Sequence, residues 1–187
     1  MDAIEALTSR STAKSFGDMV PTRDHLDIIL RAAVRAPDHG RLRPWHFMLI
    51  EGENRAKLGD ILAAAALRRT PNLSAGDLQR ERDKAKRAPV IILVVCRIVP
   101  GTKVPAIEQL MAVGAATQNI LLGLHNFGYA SAWKTGEAAY DPEVKKSLGL
   151  NPDDHIVGFV YAGGGLGALF APGKPAVLED AMLTFPA

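Results

Sequence analysis

Leu26, Ile29, Leu30, Ala33 and Val34 repeat at the spacing of one helical face, and Thr22, just after Pro21, is placed to cap the helix they predict. Ile4 and Leu7 suggest a shorter helix before it. The period then changes. Residues 46–50 read as a strand, and residues 90–96 are apolar and β-branched throughout, as a central strand requires. Between them lies an alanine-rich helical stretch, 54–69, stopped by Pro71, and a highly charged helix capped by Ser74 that runs towards Ala88 and Pro89. The longest helical pattern spans 105–127, with Gly128 just past its end. Residues 129–135 and 156–162 predict two further strands. Between these, Asp141-Pro142-Glu143 opens a helix that Gly149 closes. Helices and strands alternate without the regular rhythm of a doubly wound sheet. The expected class is α+β, an apolar sheet covered by helices.

The 187 residues suit a single domain, 1–187, with 48% hydrophobic and 22% charged residues. A formal net charge of +2 with no dense basic run argues against nucleic acid. The start of the chain carries Asp2 and Glu5 and no apolar core, and no stretch is apolar enough to span a bilayer. A cytoplasmic protein without membrane contact is expected. Cys96, the only cysteine, sits inside the apolar run and reads as a buried, inert thiol. The small residues Ala112, Gly114, Ala115 and Ala116 would permit close packing, such as a subunit interface. The tail after Gly163, rich in Gly and Pro, reads as an extension, residues 164–187, that packs on a partner subunit.

Charge is bunched rather than abundant. The stretch Arg35-Ala-Pro-Asp-His-Gly-Arg-Leu-Arg-Pro-Trp-His46 puts three arginines and two histidines into one connection between a helix and a strand. Pro37 and Pro44 stiffen it and Trp45 anchors its end, an arrangement suited to a planar anionic ligand. A second basic, hydroxyl-rich element is Arg10-Ser-Thr-Ala-Lys-Ser-Phe16. Together they point to a phosphorylated cofactor. Flavin mononucleotide (FMN) needs hydroxyls and a guanidinium for its phosphate, which Arg10, Ser11 and Thr12 offer. Its reduced ring needs a cation near N1, and Arg35, His39, Arg41 or Lys134 could supply it.

Other chemistries find less support. Gly163-Gly-Gly-Leu-Gly167 follows a strand, but Pro172, Gly173 and Pro175 come next instead of the helix a dinucleotide loop requires, so it reads as a linker. No His pair at helical metal spacing and no Gly-x-Ser-x-Gly elbow is present, so neither a metal site nor a side-chain nucleophile is expected. His125 and His155 read as structural or surface residues.

These blocks, with Arg31-Ala-Ala-Val-Arg-Ala-Pro-Asp-His39, Pro44-Trp-His-Phe47, Gly128-Tyr-Ala-Ser-Ala-Trp-Lys-Thr-Gly136 and Ile156-Val-Gly-Phe-Val-Tyr-Ala-Gly163, resemble the nitroreductase family of FMN-dependent oxidoreductases, especially its short YdjA-like branch. The resemblance covers residues 1 to about 162. It implies a mostly antiparallel central sheet flanked by helices, in an intertwined homodimer with FMN between the subunits. It also implies ping-pong chemistry in which NAD(P)H reduces the flavin and a nitroaromatic, quinone, enone or related acceptor reoxidises it. It assigns cofactor contacts to Arg10, Ser11, Thr12, Arg35, His39, Trp133, Lys134 and Thr135. The nicotinamide nucleotide would meet Gly123, Leu124, His125, Asn126, Phe127 and Gly128. The chain departs from the family pattern where Arg41 and Arg43 stand in place of Asn and Gln, and where Thr12 and Lys14 replace Ser and Arg. The competing reading of the same pocket is a flavin-binding sensor or carrier with little turnover.

Overall fold

A computed structural model describes residues 1–165 and 181–182. The tail expected to reach a partner subunit therefore lies almost wholly outside the described residues. Six α-helices and four strands alternate along the described chain: α1 (Ala3–Ser9), α2 (Arg23–Ala33), β1 (Trp45–Glu51), α3 (Asn54–Arg69), α4 (Ala75–Lys84), β2 (Val90–Cys96), α5 (Ala106–Asn126), β3 (Tyr129–Lys134), α6 (Pro142–Ser147) and β4 (His155–Gly164). The strands form one sheet in the order β1-β2-β4-β3, and every pairing is antiparallel.

Strand β2 is buried on both faces, which is why it lacks alternation. Val90, Ile92, Val94 and Cys96 pack with Leu26, Ile29 and Ala33 of α2 and with Val113, Ile120 and Leu124 of α5. Ile91, Leu93 and Val95 point the other way, into a core with Leu58, Leu62 and Ala65 of α3 and Val144 of α6. The sheet is thus the middle of three layers. Edge strand β1 alternates, with Trp45, Phe47 and Leu49 turned to the α2–α5 side and Ile50 to the other.

Local signals set the helix ends. Thr22, Ser74 and Asp141 each accept a backbone N–H from the first turn of α2, α4 and α6. Gly128 and Gly149 follow α5 and α6 with φ of 78° and 71°, a conformation other residues resist. Helix α4 ends at Lys84, short of Ala88: the N–H groups of Ala85 and Lys86 turn back to Arg82 O and Asp83 O, which tightens the last turn, and Ala85 packs into the core. The small residues of α5 divide: Ala112 and Ala116 face the chain's own core, while a Cβ added at Gly114 would meet open space.

The glycine run after residue 162 also corrects the sequence reading. Gly163 and Gly164 are not a linker but the last residues of β4, paired with Ala130 and Tyr129. The segment before α2 crosses this end, and Gly17 and Gly164 exchange backbone hydrogen bonds of 2.8 and 3.2 Å. A Cβ on Gly163 would fall 2.6 Å from Pro89 Cδ, so a close approach, not a phosphate loop, explains this glycine. No described helix is long and apolar enough to cross a membrane.

Candidate functional site

The strap between α1 and α2 is pinned to the free edge of β3. Its Ala13 N–H donates to Ser131 O at 2.9 Å, and Phe16 folds across the sheet end to stack with Tyr161 at 6.3 Å between ring centroids. Arg10, Ser11 and Thr12 lie just ahead of this pin, where Arg10 closes α1 by donating its backbone N–H to Ala6 O. Trp133, Lys134 and Thr135 follow Ser131 on the same edge. Two of the predicted clusters, far apart in sequence, therefore border one strand.

Trp133 is held in place. Its Nε1–H donates to Val157 O at 3.0 Å, and its indole covers Gly158, where a Cβ would collide with the ring. Together with Lys134 and Thr135 it borders a cavity of about 640 Å³ floored by Phe159 and Tyr161 and walled by Leu62, Ala66 and Arg69 of α3. Lys134 forms no ion pair among the described residues. A flat apolar floor, an indole and a free ammonium suit a planar ring that becomes anionic.

The loop holding Arg35 and His39 is elsewhere. His39 Nδ1 lies 2.6 Å from Glu108 Oε2, in the first turn of α5. Asp38 folds the loop from within: its carboxylate accepts the Arg43 N–H at 2.7 Å and its carbonyl the Arg41 N–H at 3.2 Å. Arg41 and Arg43 take φ of 54° and 53°, backbone that costs a non-glycine residue on the order of 1 kcal/mol. Arg97 N–H closes the exit by donating to Pro44 O at 2.8 Å. The result is a tightly held loop with Arg35, His39, Arg41 and Arg43 all exposed.

At the opposite end of α5, His125 Nε2 meets Ser9 Oγ at 2.8 Å and ties α1 to the helix. Burial, reinforced by the charge of Arg10, lowers the His125 pKa, against an opposing pull from Glu5. Arg10 follows Ser9 directly, so the Ser9–His125 contact brings the predicted phosphate cluster to the predicted nicotinamide segment. Most of that segment serves packing. Leu124 is fully buried, Gly123 lets Ile29 approach (an added Cβ would lie 2.9 Å from Ile29 Cγ1), and Phe127 stacks on His25 at 4.0 Å. Only Asn126 and Gly128 are exposed.

From Glu108 to His125, α5 rises about 25 Å. Arg10 and His39 thus sit at opposite ends of one long helix, farther apart than a mononucleotide's ring and phosphate reach. The two predicted clusters are therefore separate places on one chain. Exposed apolar side chains accompany both ends, Ile4 and Leu7 on α1 and Ile107 and Met111 on α5, the last 67% exposed.

Several residues that shape the site carried no signal in the sequence. Glu108 and Gly158 act only through distant partners. Buried Gln109 clamps the loop after β2, holding Val99 N and O at 2.9 and 3.2 Å and Val104 O at 3.3 Å. Asp38 was readable in principle as an Asp preceding a glycine turn. Cys96 is buried as expected, and burial, with the Asp154 charge, pushes its thiol up to about 11. Among the described residues no His, Cys, Asp and Glu cluster could hold a metal ion.

Comparison with known proteins identifies the family and the fold. The model of the nitroreductase family matches residues 7–164. A relative assigned as the NAD(P)H nitroreductase YdjA of Escherichia coli is 38% identical over 167 residues, 87% of this chain and 88% of that protein. Among solved structures, a nitroreductase-like family protein from Bacillus cereus superposes with a TM-score of 0.84 at 24% identity, covering 100% of this chain and 97% of the other. A nitroreductase from Desulfovibrio desulfuricans, solved in complex with FMN, gives 0.77 at 23% identity, covering 100% and 99%.

Proposed function

Because the chain belongs to the nitroreductase family, we propose that it is an oxidoreductase that binds FMN, takes electrons from NAD(P)H and passes them to a small acceptor. The acceptor is a nitroaromatic, quinone or related molecule, and the two substrates enter in turn. The observation that carries this reading is the pin of the N-terminal strap on β3, which sets Arg10, Ser11 and Thr12 beside the edge that holds Trp133, Lys134 and Thr135.

The donor set fits FMN. Arg10 with the hydroxyls of Ser11 and Thr12 would hold the phosphate, and the cavity beside Trp133 and Lys134 would take the ring. Bound FMN supplies the electron relay between the two substrates. The protein's part is positioning: Trp133, fixed to Val157, limits the ring's tilt, and Lys134 places positive charge at its edge. His39, at the far end of α5, cannot join this half-site within its own chain, and Arg35 leads into the same loop. They complete the equivalent site of a second subunit, so the working unit is a homodimer whose contact covers Ile107 and Met111.

The purified protein should be yellow, and NADPH or NADH should bleach it under anaerobic conditions, with colour restored by a quinone or nitroaromatic. Colour without bleaching would establish the carrier reading instead. A colourless protein that takes up no FMN would remove both.

A further inference from the structure

A second, smaller pocket of about 300 Å³ lies where α3 begins and the turn after α4 leads into β2, closed on one side by the strap at Phe16 and Asp18. Three cations line it, Arg55, Lys86 and Arg87, against a single anion, Asp18. None of the three cations forms an ion pair among the described residues. Arg55 is anchored by one bond, from Nη1 to Ala88 O at 3.0 Å, and its Nε is buried with no partner. An unsatisfied buried guanidinium N–H is costly, and in a native protein it asks for an explanation. Clustered, unneutralised cations around so small a space match one compact dianion, not a macromolecule.

Arg87 borders this pocket and the 640 Å³ cavity alike. A ligand with a ring at Trp133 and an anionic group at Arg55 would pass over it. The geometry points to Arg55, Lys86 and Arg87 as the subsite for the 2′-phosphate of NADPH, so that this chain prefers NADPH to NADH. The assignment rests on the reading that Trp133 and Lys134 border the redox centre.

The test is calorimetric titration of the FMN-loaded protein with 2′,5′-ADP and 5′-AMP, which differ by the 2′-phosphate alone. We expect 2′,5′-ADP to bind at least tenfold tighter. Arg55→Gln/Lys86→Gln should erase that margin and lower the NADPH:NADH ratio of kcat/KM at least tenfold, with FMN content unchanged. Lys86→Gln alone, at an exposed position, should lose part of the margin, and so preserves the test if the double variant does not fold. Equal binding of the two nucleotides by a protein that NADPH still bleaches overturns the subsite and leaves the redox reading intact. Preference for 2′,5′-ADP without any bleaching supports the subsite and overturns the redox reading. Loss of FMN affinity in the double variant, with riboflavin affinity unchanged and no 2′,5′-ADP preference in the parent protein, overturns the assignment by giving the cations to the flavin's phosphate.

Discussion

Asp154, 1% exposed, receives both Arg97 Nε and Nη2 at 3.1 Å and the Asn151 N–H at 2.9 Å, fastening the start of β4 to the end of β2. Burial alone would raise its pKa, but Arg97 and the Asn151 amide more than reverse this, and it lies below the ordinary carboxylate value. A depressed carboxylate stabilises the fold above its unfolded value, about 3.9, and that contribution is lost as pH falls through the lower folded value. Asp154→Asn should therefore cost about 2 kcal/mol near neutral pH. The gap from the parent protein should close below about pH 4. Denaturant unfolding at both pH values checks it, and a gap that does not depend on pH would refute the charge argument. Arg10 presents the contrasting case. Its structural duty is a backbone N–H that alanine keeps, so Arg10→Ala should leave the melting temperature nearly unchanged. FMN affinity should fall by roughly ten- to a hundredfold, the worth of a charge-assisted contact. Fluorescence titration of the apoprotein with FMN measures this, and unchanged affinity would take Arg10 out of the site.

Where an element is specified by neighbours in sequence, the sequence showed it. The caps at Thr22, Ser74 and Asp141, the glycines that end α5 and α6, and the unbroken apolar run of β2 are all local signals. The end of β4 was hidden because Gly163 and Gly164 answer to Pro89 and Met19, not to their neighbours. The candidate site was legible as a set of residues and illegible as a place. Nothing near His39 announces Glu108, 69 residues on, and nothing near Ala13 announces Ser131. The pairing of β3 with β4 makes a further element-scale expectation. Gly158 exists to seat the Trp133 indole, so Gly158→Ala should displace it, shift its fluorescence emission and weaken FMN binding. The loss of stability should be on the order of 1–3 kcal/mol. Trp45 is the only other tryptophan, so the change is attributable. Unaltered emission would mean that the ring tolerates the methyl group.

At the scale of the whole molecule, the three-layer fold holds the two sets of candidate site residues rigidly and apart. The Ser9–His125 contact fixes one set to the last turn of α5, and the His39–Glu108 contact fixes the other to the first. A rigid rod between them means that no small internal motion brings them together. In the proposed homodimer, exposed Met111 and Ile107 would be covered by the second copy. Function and dimerisation should consequently be lost together when the chain is diluted, rather than in separate steps.

That separation makes complementation between damaged chains possible. Arg10→Ala damages the half-site at one end of α5 and His39→Ala the half-site at the other. In the proposed homodimer, each variant alone would have both sites impaired. In a mixed dimer, one site collects both lesions and the other collects neither. Random reassortment after unfolding and refolding the two variants together should restore about a quarter of the parental sites, because half of the dimers are mixed and each regains one of two. Flavin absorbance and NAD(P)H oxidation on the refolded mixture would show it. If Arg10 and His39 served the same site from the same chain, the mixture would be no more active than its parts.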